Sequence, residues 1–352
     1  MQLSLLDILT DPVTGSALTL EANVSHGDSV STGVLRSSER CYPIVNGIPR
    51  FVLTEDADQR QTEASFGFKW QQEHSYASTS AADVYRNWIA EKYGFGDATE
   101  LERYLSNRQR VLDAGCGAGY TTSTWMGDVW CSSGAEWVGV DISNAVDVAQ
   151  KRLGQTPGVH FVQADILQMP FKHGSFDLIF SEGVLHHTPS TERAIKSLAP
   201  LLVPGGEIMF YVYRKKGPIR EFSDDFIRDL IADLPPEQAW QMLRPLTSLA
   251  KALSDLKVEV DVPESIPYLG IEAGRHDVQR LIYWHFMKLF WNDAYPFEEN
   301  LHVNFDWYHP RYAHRQSEEE VRRWCAEAGL EITYFHKQES GFTVRGVRGP
   351  SR

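Results

Sequence analysis

A short segment near the middle of the chain has the residue types that hold a nucleotide-like ligand. Three glycines alternate there with other residues: Gly115, Gly117 and Gly119. The apolar pair Val111-Leu112 precedes them, and Asp113 stands two residues before the first glycine. Glycines at this spacing let a strand turn sharply into a helix and approach a ligand closely. A dinucleotide-binding turn would need glycine at position 120, where the chain has Tyr120, so the pattern favours another nucleotide-type ligand.

A second segment, residues 176–187, carries side chains that could act on a proton. Glu182, His186 and His187 follow an apolar run at 176–180. An oxygen or nitrogen nucleophile often has to lose a proton when it reacts, and histidine can accept that proton because it titrates near neutral pH. All three are therefore candidate catalytic residues. The alternatives are a loop histidine that packs or caps, and a glutamate that is exposed or that orients the substrate or cofactor.

Apolar runs alternate with helical segments from residue 110 onward, and this alternation predicts the elements that position both segments. The strand-like runs are 111–112, 137–140, 160–162, 176–180 and 207–212. Such alternation predicts an α/β fold with a Rossmann-like, doubly wound and mostly parallel sheet. Gly205-Gly206 is interpreted as the stop signal before the last of these runs.

The chain after residue 316 returns to the same pattern. A capping box at Ser317–Glu320 predicts the start of a helix that ends near Gly329. Two final strands are predicted at 331–336 and 342–347.

The order of these segments resembles that of class I S-adenosylmethionine-dependent methyltransferases. The matching stretches are Asp113–Gly119, Trp137–Ser143, Gln163–Ile166, Phe176–His187 and Pro204–Glu207. The resemblance implies S-adenosyl-L-methionine as the cofactor and methyl transfer as the activity. It also implies that the loop at 182–187 faces the reactive methyl group, which makes His187 the preferred general base.

The resemblance further implies roles for individual residues. Asp113 would lie near the methionine part of the cofactor, Asp141 would accept hydrogen bonds from both ribose hydroxyls, and Asp165 would contact the adenine amino group. A carboxylate suits Asp141 because it only accepts and carries charge. The alternative for Asp141 and Asp165 is a strand-end or helix-capping aspartate. The predicted cofactor-binding set is Asp113, Gly115, Cys116, Gly117, Gly119, Asp141, Ile142, Asp165, Ile166, Ser181 and Trp70.

Residues 1–55 are expected to form a small separate β module. Asn46-Gly47 predicts a hairpin turn, and a polar loop is expected after residue 20. The stretches 6–9 and 42–49 resemble a zinc-ribbon-like domain that accompanies some methyltransferases. That domain binds metal through two C-x-x-C pairs, whereas this chain has Asp11 and a lone Cys41. We therefore expect no metal, and a module that serves as a scaffold or dimer element. The other cysteines, Cys116, Cys131 and Cys325, are scattered, which predicts reduced thiols.

Residues 56–352 are expected to form the cofactor-binding domain, with a helical, aromatic-rich insertion at 214–316. A polar linker is predicted at 53–63. The segment 66–70 could form a lid over the cofactor, with Trp70 or Tyr76 against the cationic sulfonium, and the alternative is a packed helix start. The insertion is too aromatic to be disordered. It predicts a cap that encloses a small substrate, and the alternative is a homodimer interface.

The substrate-binding residues are predicted from the end of the fifth strand and from the insertion. They are Tyr211, Tyr213, Arg214, Asp306, Trp307, Tyr308 and Arg311. Arg220 and Arg315 are further candidates for a carboxylate or phosphate on the substrate.

The charge and the apolar content of the sequence limit the kinds of partner that the protein could bind. The formal net charge of -13 makes the chain a poor candidate for nucleic-acid binding. No apolar run approaches the ~20 residues of a membrane span, and the first residues do not resemble a secretory signal. The sequence predicts a cytoplasmic protein with a small-molecule substrate.

Methyl transfer is not the only function that such a cofactor site allows. An enzyme of the same fold could use the aminocarboxypropyl chain of the sulfonium instead, by cyclisation or transfer, and release methylthioadenosine. A non-catalytic scaffold with a vestigial site would also carry these residues, and a nicotinamide-dependent oxidoreductase is a fourth hypothesis. The identity of the nucleoside product separates the first two functions, because methyl transfer releases S-adenosylhomocysteine.

Overall fold

The computed structural model of the chain describes residues 1–53, 55–70, 79–125 and 134–350. Two residues named above, Tyr76 and Cys131, lie outside the described part. The strands are β1 (Thr19–His26), β2 (Ser29–Arg36), β3 (Cys41–Val45), β4 (Ile48–Pro49), β5 (Arg110–Ala114), β6 (Glu136–Asp141), β7 (Val159–Gln163), β8 (Phe176–Glu182), β9 (Leu202–Tyr213), β10 (Glu259–Val262), β11 (Gly274–Asp277), β12 (Leu330–Lys337) and β13 (Gly341–Arg348).

The longer helices alternate with these strands in the first part of the chain and cluster after residue 217. They are α1 (Ala57–Trp70), α2 (Thr79–Lys92), α3 (Ala98–Ser106), α4 (Tyr120–Trp125), α5 (Ala145–Leu153), α6 (Thr191–Leu198), α7 (Pro218–Ile231), α8 (Pro236–Asp255), α9 (Val278–His285), α10 (Phe297–Tyr308) and α11 (Glu318–Glu327).

The chain divides into two units. The first unit combines the described residues of 1–55, 76–213 and 316–352, and the second combines 56–75 with 214–315. Each unit is therefore assembled from stretches that are distant in sequence.

A seven-stranded sheet forms the centre of the first unit. Its strand order is β12-β13-β9-β8-β5-β6-β7. Neighbouring strands from β9 to β7 run parallel, while β13 runs antiparallel to both of its neighbours. All five residues of β7 and four of the five in β5 are buried, as expected for strands covered on both faces. The predicted Rossmann-like α/β fold is confirmed.

The order of the sheet marks where a ligand should bind. The chain runs outward from β5 to β6 and β7, and then returns to the other side of β5 to form β8. In open α/β sheets, ligands bind at the carboxyl ends of the strands where the order reverses in this way. Residues that follow β5, β6 and β8 therefore define the candidate site.

The N-terminal module, residues 1–55, is continuous with this sheet. Its strands β1 to β4 form a four-stranded antiparallel sheet, and its apolar side chains share one core with those of the large sheet. At the edge strand β7, the Phe51 amide donates to the Gln163 carbonyl at 2.7 Å. The Arg50 guanidinium donates to the Gln163 side chain at 2.9 Å and also pairs with Asp147. These contacts anchor the module to the end of β7.

Asp11, which replaces an expected cysteine, holds the first turn of the module together. Its carboxylate accepts from the amides of Val13 and Thr14 at 2.8 and 3.0 Å and from the Ser37 hydroxyl at 2.6 Å. Burial alone would raise the pKa of Asp11, but the hydrogen bond from Ser37 and those from the two amides hold it at about 2. Among the described residues, no group of His, Cys, Asp or Glu side chains is arranged to hold a metal ion.

Several local predictions are confirmed and others are wrong. Asn46-Gly47 forms the hairpin turn with positive φ angles of 54° and 77°, and the capping box at Ser317 is present. The expected polar loop after residue 20 is wrong, because β1 and β2 occupy it. The expected linker at 53–63 is also wrong from residue 57, where α1 begins. Gly205-Gly206 lies inside β9, at a break of register with β8, and does not precede that strand.

Helices α1 and α7 to α10 form most of the second unit, together with the short antiparallel pair β10 and β11. The hairpin was not predicted. In the described part of the chain, no helix is both long enough and apolar enough to cross a membrane.

Candidate functional site

The glycine-rich turn begins where β5 ends, and its backbone needs glycine. Gly115, Gly117 and Gly119 have φ angles of 93°, 52° and 74°, which lie in the left-handed region. A Cβ atom at Gly115 would lie 2.4 Å from the Val184 methyl groups, so the turn also packs closely against the loop after β8. The predicted sharp turn is confirmed in its backbone geometry, and its close approach to a ligand stays a prediction.

Asp141 ties this turn to the end of β6. Its Oδ2 accepts from the Gly117 amide at 2.9 Å, and its Oδ1 accepts from the Ser143 amide and hydroxyl at 2.8 and 2.6 Å. Each carboxylate oxygen has more than one acceptor position, so these bonds leave capacity for a ligand hydroxyl. Asp141 is partly exposed, and Ile142 beside it is held by a hydrogen bond from Gln163 to its carbonyl.

Asp113 is a buried acid behind the turn. Its side chain is 2% exposed, and the Thr122 hydroxyl donates to its Oδ2 at 3.1 Å. Burial, and to a smaller extent the nearby negative charge of Asp141, raises the pKa of Asp113 to about 7, against the hydrogen bond from Thr122. Cys116 is also buried, and burial raises the pKa of its thiol well above the usual range.

Asp165 and Ile166 follow β7 in a short 3-10 turn. The Asp165 carboxylate caps this turn by accepting from the Leu167 amide at 2.8 Å, and Ile166 packs in the core of the first unit. The capping alternative therefore describes one of the contacts of Asp165. A role for Asp165 at the adenine amino group stays a prediction.

Two residues at the end of β8 are held firmly. The Ser181 hydroxyl donates to the Ala114 carbonyl at 2.8 Å, which joins the ends of β8 and β5. Glu182 forms an ion pair with Lys92 and accepts from the Tyr93 hydroxyl at 2.7 Å. Burial lowers the pKa of Lys92, and Glu182 opposes that shift. Glu182 is therefore neither an exposed acid nor a side chain that can swing freely.

The two histidines lie among aromatic rings. The centroid of the His186 ring is 3.7 Å from that of Tyr213 and 4.3 Å from that of His187. Tyr211 stands edge-on to both His186 and Tyr213. His186 is fully buried, whereas His187 is 8% exposed. The sheet thus brings together four residues that were predicted separately as catalytic or substrate-binding.

The remaining predicted substrate residues belong to the second unit. Trp307 and Tyr308 are buried there, and their polar atoms donate to Asp224 at 2.8 and 3.0 Å. Asp306 forms an ion pair with Lys69 at 2.5 Å. Trp70, predicted at the cofactor, also belongs to this unit, where its ring lies 4.5 Å from the Lys69 Nζ. Arg214 begins the unit after β9 and is partly buried.

The arginines that were candidates for a substrate anion have carboxylate partners within the same unit. Arg220 pairs with Asp224, Arg311 with Asp233, and Arg315 with Glu221 and Asp225. Arg220 is 1% exposed. These contacts give all three arginines a structural role, and binding of a substrate anion by any of them stays a prediction.

Sequence reasoning missed Lys92 and Tyr93, the partners of Glu182. Both lie at the end of α2, where a lysine ordinarily points to solvent. Their only sequence signal is a helix that precedes β5 and must pack on the sheet near its carboxyl edge. Lys288 and Lys69 in the second unit were also missed, because no motif marks them.

Comparison with known proteins identifies the central part of the chain. Residues 112–210 match a family model described as a methyltransferase domain. Residues 112–210 are therefore similar to a methyltransferase domain. The matched range contains the glycine-rich turn, Asp141, Asp165 and the loop at 182–187, which are the segments on which the resemblance rested.

Curated relatives are similar to this chain over a third to a half of its length. The chain is 38% identical over 117 residues to an uncharacterized protein of Synechococcus sp., covering 31% of this chain and 27% of the relative. It is 34% identical over 117 residues to the human probable tRNA methyltransferase 9B, covering 32% and 23%. It is 27% identical over 166 residues to the phthiotriol/phenolphthiotriol dimycocerosates methyltransferase of Mycobacterium leprae, covering 47% and 60%. The chain spans less than two thirds of the length of each.

A solved structure similar to this chain is 1,6-didemethyltoxoflavin-N1-methyltransferase of Burkholderia thailandensis, with bound 1,6-didemethyltoxoflavin and S-adenosylhomocysteine. The sequence identity is 13% and the TM-score is 0.43, with 89% of this chain and 97% of that chain covered.

The residues at the carboxyl edge fit S-adenosyl-L-methionine, the cofactor that a methyltransferase domain implies. Three of the five residues from Gly115 to Gly119 are glycines, which have no side chain between their backbone and a ligand. Asp141 and the buried Asp113 supply acidic groups near the turn, which suits a ligand with a sulfonium and an ammonium group. When bound, this cofactor supplies an activated methyl group.

Proposed function

We propose that this protein transfers a methyl group from S-adenosyl-L-methionine to an oxygen, nitrogen, sulfur or carbon nucleophile of a small molecule. One observation supports the proposal above the others. The carboxylate of Asp141 accepts from the Gly117 amide at 2.9 Å, so the acid after β6 and the turn after β5 form one structure at the reversal point of the sheet. Neither segment alone would distinguish this ligand from other nucleotides.

Each acid in the proposed site has a separate task. Asp141 would hold the ribose hydroxyls while the Gly117 amide fixes its orientation. Asp113 would lie near the methionine part, where a positive ammonium group favours its charged form and lowers its pKa. Asp165 and Ile166 would hold the adenine, and Ser181 would fix the end of β8 beside Ala114.

His187 is the proposed general base. Both carboxylate oxygens of Glu182 accept hydrogen bonds, from Lys92 and Tyr93, and His186 is fully buried against Tyr213. His187 keeps a small exposed fraction and lies on the same short turn. We therefore assign proton removal to His187 and the orientation of its surroundings to Glu182.

A small-molecule acceptor is proposed over a nucleic acid. The net charge of -13 opposes binding to a phosphate backbone, because few lysines and arginines would be free to neutralise it. In the second unit, Arg220, Arg311 and Arg315 are paired with carboxylates and add no basic surface. The name of one relative refers to tRNA and that of another to phthiotriol and phenolphthiotriol dimycocerosates.

The test is incubation of the full chain with S-adenosylmethionine and a metabolite extract, followed by mass spectrometry of the nucleoside product and of the modified metabolite. S-adenosylhomocysteine with a metabolite heavier by one methylene unit supports the proposal. Methylthioadenosine would instead show use of the aminocarboxypropyl chain. Binding of the cofactor without any nucleoside product would indicate a non-catalytic scaffold.

A His187→Ala variant is expected to slow turnover more than it weakens cofactor binding.

A further inference from the structure

Lys288 in the second unit is a buried lysine. It is 5% exposed, its backbone amide donates to Asp224 at 2.8 Å, and its carbonyl lies 2.7 Å from the Tyr308 hydroxyl, which shares its one proton between this carbonyl and Asp224. Its Nζ lies 4.6 Å from the centroid of the Trp307 ring. Among the described residues, no oxygen accepts a hydrogen bond from this Nζ. Burial, and then the positive charge of Arg220, lowers the pKa of Lys288 to about 7.

Asp306, in the same unit, has a carboxylate oxygen without a hydrogen-bond donor. Its Oδ2 accepts from the Lys69 Nζ at 2.5 Å, but its Oδ1 is buried and has no donor in the described part of the chain. Its negative charge opposes the lowering of the Lys288 pKa, and the positive charge of Lys288 opposes the raising of the Asp306 pKa by burial. They nevertheless form no direct ion pair.

The neighbouring carboxylate of Asp224, by contrast, has hydrogen-bond donors on both of its oxygens. Asp224, 1% exposed, accepts from Arg220, from Trp307, from Tyr308 and from the Lys288 amide. That network is complete without the Lys288 Nζ and the Asp306 Oδ1. Buried polar atoms are nearly always paired, so the buried Asp306 Oδ1 without a donor, in the unit that also holds a lysine amine without an acceptor, indicates a ligand with matching groups.

We propose that the second unit binds a small carboxylic acid that also carries a hydroxyl or amino group. The carboxylate accepts from the Lys288 Nζ, and the O–H or N–H donates to the Asp306 Oδ1. The Trp307 ring beside Lys288 favours a flat, apolar body between the two polar ends. Binding does not depend on methyl transfer. If the ligand is the methyl acceptor, this assignment names its class and rests on the proposed function.

The test uses the full chain without S-adenosylmethionine and three aromatic probes, with calorimetry as the readout. 3-Hydroxybenzoate carries both groups, benzoate lacks the hydroxyl, and phenol lacks the carboxylate. We expect 3-hydroxybenzoate to bind at least about tenfold more tightly than either of the others, because only it satisfies both atoms. Equal affinity for the three probes, or no binding of 3-hydroxybenzoate, would overturn the proposal.

Variants assign the binding to the two residues. Lys288→Met and Asp306→Asn should each weaken 3-hydroxybenzoate binding at least about tenfold. The control Lys257→Met removes a lysine that is 65% exposed and pairs with Asp293, and should change nothing. The melting temperature of Lys288→Met should stay equal or rise, since the variant removes a buried charge that no oxygen accepts from. A clear fall would show that Lys288 is structural and contradict the proposal.

These measurements distinguish failure of the proposed ligand site from failure of the proposed methyl transfer. Loss of probe binding in Lys288→Met with an unchanged yield of S-adenosylhomocysteine would support the ligand site and show that its ligand is not the methyl acceptor. Probe binding that Lys288→Met abolishes, in a chain that yields no nucleoside product, would support the ligand site and contradict the proposed methyl transfer.

Discussion

Lys92 and Glu182 form a buried ion pair at the carboxyl end of β8, with side chains that are 3% and 13% exposed. The Lys92 Nζ also lies 3.5 Å from the centroid of the Tyr211 ring, and the Tyr93 hydroxyl donates to the second oxygen of Glu182. The last residues of α2 therefore fix the loop that carries His186 and His187. The site depends on a helix that lies outside the range matched to the methyltransferase family.

Removal of the lysine should destabilise the fold. Lys92→Met would leave the Glu182 carboxylate buried without a counter-charge, and we expect a loss of about 3 kcal/mol in the free energy of unfolding, measured by urea denaturation. The double variant Lys92→Met, Glu182→Gln should recover much of that loss, because no charge is then left unpaired. Lys251→Met, which breaks an exposed pair with Asp255, is the control and should have little effect. A double variant as unstable as the single one would contradict this account.

Asp141 should control cofactor affinity. Asp141→Ala removes the acceptor for ligand hydroxyls and also the partner of the Gly117 amide, so we expect at least about a hundredfold loss of affinity for S-adenosylhomocysteine by calorimetry. Asp141→Asn keeps an oxygen for the Gly117 amide and should lose less. Ser143→Ala removes only one donor to Asp141 and should bind nearly as well as the original protein. Similar affinities for all variants would mean that Asp141 has only its local structural role.

Asp113 should make stability depend on pH. Burial raises the pKa of Asp113 from 3.8 to about 7 in the folded chain, so between these values the folded state holds a proton that the unfolded state has released. This contribution to stability is fully present below about pH 4 and lost as the pH rises through about 7, with a slope of up to about 1.4 kcal/mol per pH unit.

The check is urea denaturation between pH 5 and pH 8. Asp113→Asn does not titrate, so its stability should fall less over this range than that of the original protein. Thr122→Val removes the hydroxyl that favours the charged carboxylate, so the fall should continue to higher pH and its total between pH 5 and pH 8 should be larger. Parallel curves for the three proteins would contradict the assignment of the pH dependence to Asp113.

Gly115 should tolerate no side chain. Gly115→Ala combines a φ of 93° with a Cβ placed 2.4 Å from Val184, and we expect a loss of about 3 kcal/mol in the free energy of unfolding. Adding Val184→Ala should recover only part of it, because the backbone strain remains. The control Gly174→Ala has a φ of 68° and no atom within 4 Å of its Cβ, so it should show the smaller effect of strain alone. Full recovery in the double variant would show that crowding is the whole cause.

The central sheet could be predicted from sequence because its strands are buried on both faces. β5 to β8 are apolar runs between helices, and the glycine turn and Asp141 follow strands directly. Because the carboxyl ends of parallel strands meet at one edge of the sheet, a residue that ends such a strand can be assigned to that edge from sequence. That is why residues far apart in the chain, such as Gly117 and Asp141, could be assigned to one ligand.

Elements outside the central sheet could not be predicted in the same way. β1 is almost entirely exposed, so it forms no buried apolar run, although its residues from Thr19 to Ser25 alternate between polar and apolar types. The buried face of α1 is polar and includes Gln59, Thr62, Ser65 and Lys69, a composition typical of a linker. The partners of that face lie more than 200 residues away, as in the hydrogen bond between Ser65 and His309. No local pattern contains this information.

The division of the chain has a consequence for folding during synthesis. The Gln61 side chain donates to the carbonyls of Ala232 and His309, at separations of 171 and 248 residues, so α1 cannot reach its partners until most of the chain exists. β13, which pairs with β9, is made later still. Contacts of such long range slow folding and leave apolar surfaces uncovered meanwhile. During synthesis, the emerging chain therefore exposes an incomplete central sheet and an α1 without its packing partners. We expect the nascent chain to bind chaperones strongly until β13, which ends at Arg348, has left the ribosome.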